Sequence, residues 1–273
     1  MSPTGQGLYL FCFARLSHLQ PLPLQEAGWD KDNPVAVTSF QDLAAIWSPV
    51  PIADFSGPKA EERLQDLTWL LSRVIRHQEV VAGIMQRSPV LPARFGTIFA
   101  NATNLEKLLQ HHHDTIADFL ERLTDRGEWA VKGRLDRSRA KKHIFSRQLA
   151  QEAQTLEALS PGKRYFQERR LQAACNQELQ QWLGNICRSL WTDLRQYAVE
   201  FRERQLLCRE ATGSDTEMVW NWAFLVPDQA APDFQACIRE ANACYADYGL
   251  LLECTGPWPP YSFTPPLDLG SEP

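Results

Sequence analysis

An α+β fold in two domains, the C-terminal one ferredoxin-like with long additional helices, is what this 273-residue chain predicts. Three observations lead there. Short apolar runs of strand character are interspersed with segments whose apolar residues recur at helical spacing. From Trp129 onward the order reads strand, helices, strand, helix, strand, which suggests a small sheet with helices on one face. A turn at Asp125-Arg126-Gly127 separates these two stretches and divides the chain into residues 1–126 and 127–273, the latter ending in a proline and aromatic tail.

The elements follow in order. Residues 6–14 (QGLYLFCFA) read as a buried strand. After a loop holding Pro21, Pro23 and Gly28, residues 34–40 read as a strand and residues 43–49 (LAAIWSP) as a strand or a helical turn. Pro58 is suited to open a helix, and Leu67, Leu70, Val74, His77, Val81 and Ile84 form its apolar face. That helix should stop before Ser88-Pro89. Residues 90–99 are extended, but Pro92 and Gly96 restrict them to an edge or bent strand. Asn104 is placed to cap a helix whose face holds Leu105, Leu108, His112, Ile116, Phe119 and Leu123. In the second half, residues 128–135 form a strand and a polar helix spans 139–156, with a break at Ser160-Pro161-Gly162. A continuous helix over 163–204, striped by Leu183, Ile186, Leu190, Leu194, Tyr197 and Phe201, would be about 60 Å long and is expected to bend near Gly184 or project. Residues 218–226 form a strand, Pro232 opens a helix ended by Gly249, and residues 250–255 are the last strand.

Composition excludes several classes. Hydrophobic residues at 44% and charged residues at 22% allow a real core and argue against disorder. A formal net charge of −5 gives no overall attraction to nucleic acid. No apolar run is long enough to span a bilayer, and the N-terminal residues lack the basic and apolar regions of a signal peptide. Seven cysteines without CxxC spacing read as reduced, mostly buried thiols of a cytoplasmic protein.

Candidate sites are few. His111-His112-His113 cannot share one ion, because consecutive helical residues point about 100° apart; one packed and two solvated histidines are expected. His77 lies on an apolar face within reach of the 89–96 segment. Arg134, Arg137, Arg139, Lys141, Lys142 and Arg147 form a basic cluster with little aromatic interleaving, which reads as a solvated helix face. No nucleotide, nucleophile or metal motif occurs, so no catalytic residue, cofactor or metal ligand is assigned.

Two segments carry the most information. Residues 89–99 read PVLPARFGTIF and residues 255–263 read TGPWPPYSF. Pro257, Pro259 and Pro260 remove three donors and stiffen the tail, which either displays Trp258, Tyr261 and Phe263 as a ribbon or folds back to seal the core. The first segment, with Pro89, Pro92, Arg94, Phe95 and Gly96, resembles the PVLPxRFGT(V/I)F segment of the gas-vesicle protein F/L family (GvpF/GvpL). The second, with Gly256, Pro257, Trp258, Pro259, Pro260, Tyr261 and Phe263, resembles that family's TGPWPPYSF. Residues 129–132 (WAVK) are similar to its WxVK strand, with Gly133 departing from the pattern just after. The compact tail after Phe263 favours the F branch. The resemblance implies a gas-vesicle accessory protein, not an enzyme, that needs no cofactor. It implies binding to the main shell protein GvpA, and to other accessory proteins, during shell nucleation, with neither nucleic acid nor membrane as partner. The motif residues would then be structural or partner-binding.

Overall fold

The computed structural model describes residues 5–21, 28–30, 34–55, 60, 63, 65–207 and 215–267. Pro23, Pro58 and Cys208 lie outside them, so the helix start expected at Pro58 is not described. Helices and antiparallel sheets alternate along the chain. The chain divides into two compact units, Met1–Arg126 with Trp258–Pro273, and Gly127–Pro257. The tail expected with the second domain therefore belongs to the first unit. Its docking partners, described below, are the reason.

The first unit is built on β1 (Gln6–Arg15), the apolar run at the N-terminus. With β2 (Ala36–Phe40), β3 (Leu43–Pro51) and β4 (Val90–Pro92) it forms a sheet in the order β2-β3-β1-β4. β5 (Ile98–Phe99) also pairs with β1. All these pairings are antiparallel. β1 is interior to the sheet and is also contacted by helices of the unit, so Tyr9 through Ala14 are buried without alternation. The ambiguous residues 43–49 are strand, because β3 lies between β2 and β1 and its ladders override local propensity. The 90–99 segment is two short strands with a turn between them, and Gly96 supplies the turn's positive φ of 86°.

Helix α1 (Leu67–Met85) starts at Asp66, whose carboxylate accepts from the amides of Thr68 and Trp69. Only the C-terminal half of its expected face is inward: His77, Val81 and Ile84 are buried, and Val80 joins them. Leu67 is 69% and Val74 41% exposed, and with Leu71 and Ile75 they form an outward apolar row. The next helix differs from expectation at two points. Its cap is Asn101, whose side chain accepts from Asn104 N, and not Asn104. It is also two helices, α2 (Ala102–His111) and α3 (His113–Arg122), joined at His112 with φ −106° and ψ 14°. The apolar stripe keeps its phase across the joint, with Leu105, Leu108, Ile116 and Phe119 all buried, which is why periodicity conceals the break.

The second unit holds β6 (Arg126–Leu135), β7 (Glu200–Glu203), β8 (Glu217–Pro227) and β9 (Leu250–Trp258) in the order β7-β8-β6-β9. Its helices are α4 (Arg137–Gln151), α5 (Ala153–Glu157), α6 (Pro161–Arg195) and α7 (Ala231–Tyr245). α6 is one unbroken helix of 35 residues through Gly184, about 52 Å at ~1.5 Å per residue. It stops at Arg195. Tyr197 and Phe201, expected on its stripe, lie beyond it, and Phe201 belongs to β7. Phe201 still packs on the same core, with its ring 5.1 Å from that of Phe224, so its apolar phase imitates one more helical turn. β9 runs three residues further than expected, through Gly256 and Pro257 to Trp258, as an end strand tolerates proline. The Asn242 side chain closes part of β9, its Nδ2 donating to Leu252 O at 2.9 Å and its Oδ1 accepting from Leu252 N at 2.7 Å.

Gly133 has a packing reason. A Cβ at this position would stand 2.4 Å from Cε3 of Trp220, whose indole lies over the glycine and stacks on Trp222 at 5.4 Å. Gly133→Val should destabilise the fold by about 1–3 kcal/mol, since ring and backbone must both shift. A denaturant midpoint equal to that of the unaltered protein would show that the ring is free to move.

Candidate functional site

The described residues bring both motif segments together around His77. This imidazole is 3% exposed and inward-facing on α1. Its Nδ1 is 2.9 Å from the Tyr9 hydroxyl on β1, and its Nε2 is 3.0 Å from the Tyr261 hydroxyl in the tail. The Tyr9 hydroxyl also accepts from the Gly96 amide at 3.3 Å. Phe95 completes the wall, edge-on to both His77 at 6.0 Å and Tyr9 at 6.1 Å. Tyr9 in turn lies 4.3 Å from the Trp29 ring, and Trp29 packs on Phe55 at 5.0 Å. Arg73 crosses over Trp29 at 4.9 Å and pairs with Asp30 at 2.7 Å.

Electrostatics follow from burial. Desolvation lowers the pKa of His77 to about 4, against a smaller opposing effect from a backbone hydrogen bond to Ala93. Burial raises Tyr9 and Tyr261 above the usual phenol range, and raises the Cys12 thiol. The assembly is therefore neutral at pH 7. A neutral imidazole offers one donor and one acceptor, and two hydroxyls can satisfy either arrangement. No buried charge has to be desolvated. Both ring nitrogens are taken, which leaves the imidazole suited to holding the tail rather than to moving a proton for a substrate.

The tail is not a displayed ribbon. Pro259 and Pro260 are buried, and Tyr261–Phe263 form a short 3-10 turn in which Phe263 is 3% exposed. Phe263 N donates to Pro260 O at 3.1 Å, and Arg122 Nη2 donates to Phe263 O at 3.4 Å. Of the three tail aromatics, only Trp258 faces outward, at 42% exposed. Gly256, at φ 146°, and Pro257 remain in β9, where a Cβ on Gly256 would stand 2.7 Å from Glu128 O. Pro92 is buried in β4 opposite Cys12, Pro89 is half-buried just before it, and Arg94 is exposed.

Other sequence candidates resolve differently. His113, expected to be solvated, has Nε2 at 2.8 Å from Asp42 Oδ1 and Nδ1 at 2.9 Å from Asp114 Oδ1, and these carboxylates raise its pKa. Among the described residues, no group of three or more His, Cys, Asp or Glu is placed to hold a metal ion. The arginines of the basic cluster each meet a carboxylate: Arg134 on Glu253 at 2.6 Å, Arg137 bidentate on Glu217, Arg139 on Asp247 and Arg147 on Glu178 at 2.6 Å. Tyr9, Trp29 and Phe55 were not legible as parts of the site. Their one signal is the aromatic density of β1 and its surroundings, which equally fits any core.

Tyr261→Phe leaves Nε2 of His77 buried without its hydroxyl partner and should lower stability by about 1–3 kcal/mol. Urea unfolding reports this directly. An unchanged midpoint would mean that the tail is held by Phe263 and its neighbours alone.

Comparison with known proteins identifies the family. A family model described as gas vesicle synthesis protein GvpL/GvpF matches residues 7–265. Gas vesicle protein L of a Streptomyces species is 29% identical over 232 residues, 85% of this chain and 83% of that protein. Gas vesicle protein F of the same strain is 27% identical over 264 residues, 93% of this chain and 98% of that one. The crystal structure of GvpF from Anabaena sp. PCC7120 is similar with a TM-score of 0.67 at 20% identity, covering 95% of this chain and 98% of that one. GvpF from Microcystis aeruginosa gives 0.63 at 20% identity over 95% and 99%. The two structures show a shared fold, and the match across nearly the whole sequence shows that this chain belongs to the GvpL/GvpF family of gas vesicle proteins.

Proposed function

We propose that the protein is a non-enzymatic accessory of gas-vesicle assembly that binds the main shell protein GvpA and assists shell nucleation, acting in the cytoplasm as a minor vesicle component. The observation that carries this reading is the family match over residues 7–265. An unassembled shell subunit exposes apolar surface and sheet edges that aggregate, and a folded binder that covers them keeps the subunit competent for assembly. The outward row of Leu67, Leu71, Val74 and Ile75 on α1 is in keeping with a partner that is itself apolar.

In the same reading, the second unit is a ferredoxin-like domain. The strand order β7-β8-β6-β9, with helices between β6 and β7 and between β8 and β9, supports this connectivity. Phe95, Gly96, Pro259, Pro260, Tyr261 and Phe263 are structural, because they build or fill the surroundings of His77, whereas Arg94 and Trp258 are exposed and are the motif residues that would meet a partner.

Immobilised protein should retain purified GvpA from solution, and GvpA kept with it in equimolar amount should aggregate more slowly, as read by light scattering. Failure of the folded protein to retain GvpA at micromolar concentration would reject the reading.

A further inference from the structure

The tail meets its site as a peptide meets a receptor. The groups that receive it are Tyr9, His77, Phe95 and Gly96 around the imidazole and Arg122 on α3, all within Met1–Arg126. The site is built without the tail. The Tyr9 hydroxyl already accepts from the Gly96 amide and already meets Nδ1 of His77, so Nε2 is left for the incoming hydroxyl.

The tail, for its part, carries its shape with it. Tyr261 N donates to Pro259 O at 2.8 Å, Phe263 N to Pro260 O at 3.1 Å and Thr264 Oγ1 to Tyr261 O at 3.2 Å. Pro259 and Pro260 have φ fixed by their rings, and a segment ordered in advance loses little entropy on docking. It delivers a short pattern: two buried prolines, a hydroxyl for His77, and the buried Phe263 ring, whose residue offers its carbonyl to Arg122. The residues before it run in β9 of the second sheet, and the chain passes to the first unit at Trp258. None of the contacts just named involves β9, so the site reads the segment itself and not its attachment. A site complete on one unit, filled by a preformed segment arriving from another, is the arrangement in which identical elements are exchanged between copies at low cost.

We propose that the His77 site takes this proline–tyrosine–phenylalanine segment in trans as well as in cis, so that two copies of the chain exchange tails and form a swapped dimer. The inference stands apart from shell binding. The partner is a second copy because the occupant seen in the site is this chain's own segment. Exchange makes the same contacts twice and changes only the path of the link at Trp258, which Pro257 and Pro259 stiffen from either side. A short tether acts as an effective concentration of about 1 mM, so the closed monomer prevails at micromolar concentration and exchange grows as the protein approaches that value.

The test uses the full chain and, as probe, a fluorescent peptide of residues 257–267 read by anisotropy. The chain carrying Phe263→Ala, whose own tail docks poorly, should bind the peptide saturably. The unaltered chain should bind it at least about ten-fold more weakly, because its own tail fills the site. A peptide with Tyr261→Phe should bind about ten-fold more weakly than the natural one, since it leaves Nε2 of His77 without a hydroxyl. The chain carrying Tyr261→Phe is a second, milder acceptor should Phe263→Ala fail to fold. Sedimentation of the unaltered chain from about 1 μM towards about 1 mM should show a growing dimer, which Phe263→Ala or Tyr261→Phe diminishes. Absence of peptide binding to both variant chains, or equal binding of the two peptides, overturns docking at His77 in trans. An unaltered chain that stays monomeric up to about 1 mM, or a dimer undiminished in both variants, overturns the exchange.

Discussion

A neutral histidine with a hydroxyl on each nitrogen is the constraint on which the first unit depends. His77 joins β1 through Tyr9 to the tail through Tyr261, residues separated by 68 and 184 positions from it in sequence. Neither bond is strong by itself; a neutral hydrogen bond contributes about 1 kcal/mol net. Their importance lies in the alternative, because a buried nitrogen or hydroxyl left unpaired is destabilising by more than the bond contributes. The geometry of α1, β1, the Gly96 turn and the tail is therefore set jointly. Phe95 and Trp29 exclude water around the pair, and Gly96 is required where the turn takes positive φ and its amide reaches Tyr9.

The second unit relies on a different balance. Its sheet is packed from one side by large rings, Trp220 and Trp222 among them, and Gly133 makes room for the first of these. The arginines of its basic cluster pair with carboxylates on other elements, with Arg134 and Arg137 tying strand to strand and helix to strand. Partly buried pairs of this kind fix geometry more than they add stability.

Much of this was legible from sequence where one element buries a single continuous face. β1, β8, α7 and the inward half of α1 follow directly from apolar spacing. Departures occur where local pattern and tertiary context disagree. The row at Leu67, Leu71, Val74 and Ile75 has core-like spacing, yet it faces outward. The break at His112 leaves the stripe in phase, so no periodicity could reveal it. β7 is four residues with Phe201 in the phase of the preceding helix, and only pairing with β8 distinguishes the two. The proline-rich tail announces stiffness, but where it docks is decided by the distant His77, a relation that no local pattern encodes.

The central claim concerns the protonation and pairing of His77, and NMR titration of nitrogen-15-labelled histidine side chains tests it most directly. Its folded pKa lies below the unfolded value of about 6.5, so the unfolded state binds the extra proton first. The account predicts that His77 stays neutral on acidification until pH about 4, with stability level above pH ~6.5 and declining from there towards 4. A His77 that titrates near 6.5 in the folded protein, with the resonances of Tyr261 and Phe263 undisturbed, would contradict it.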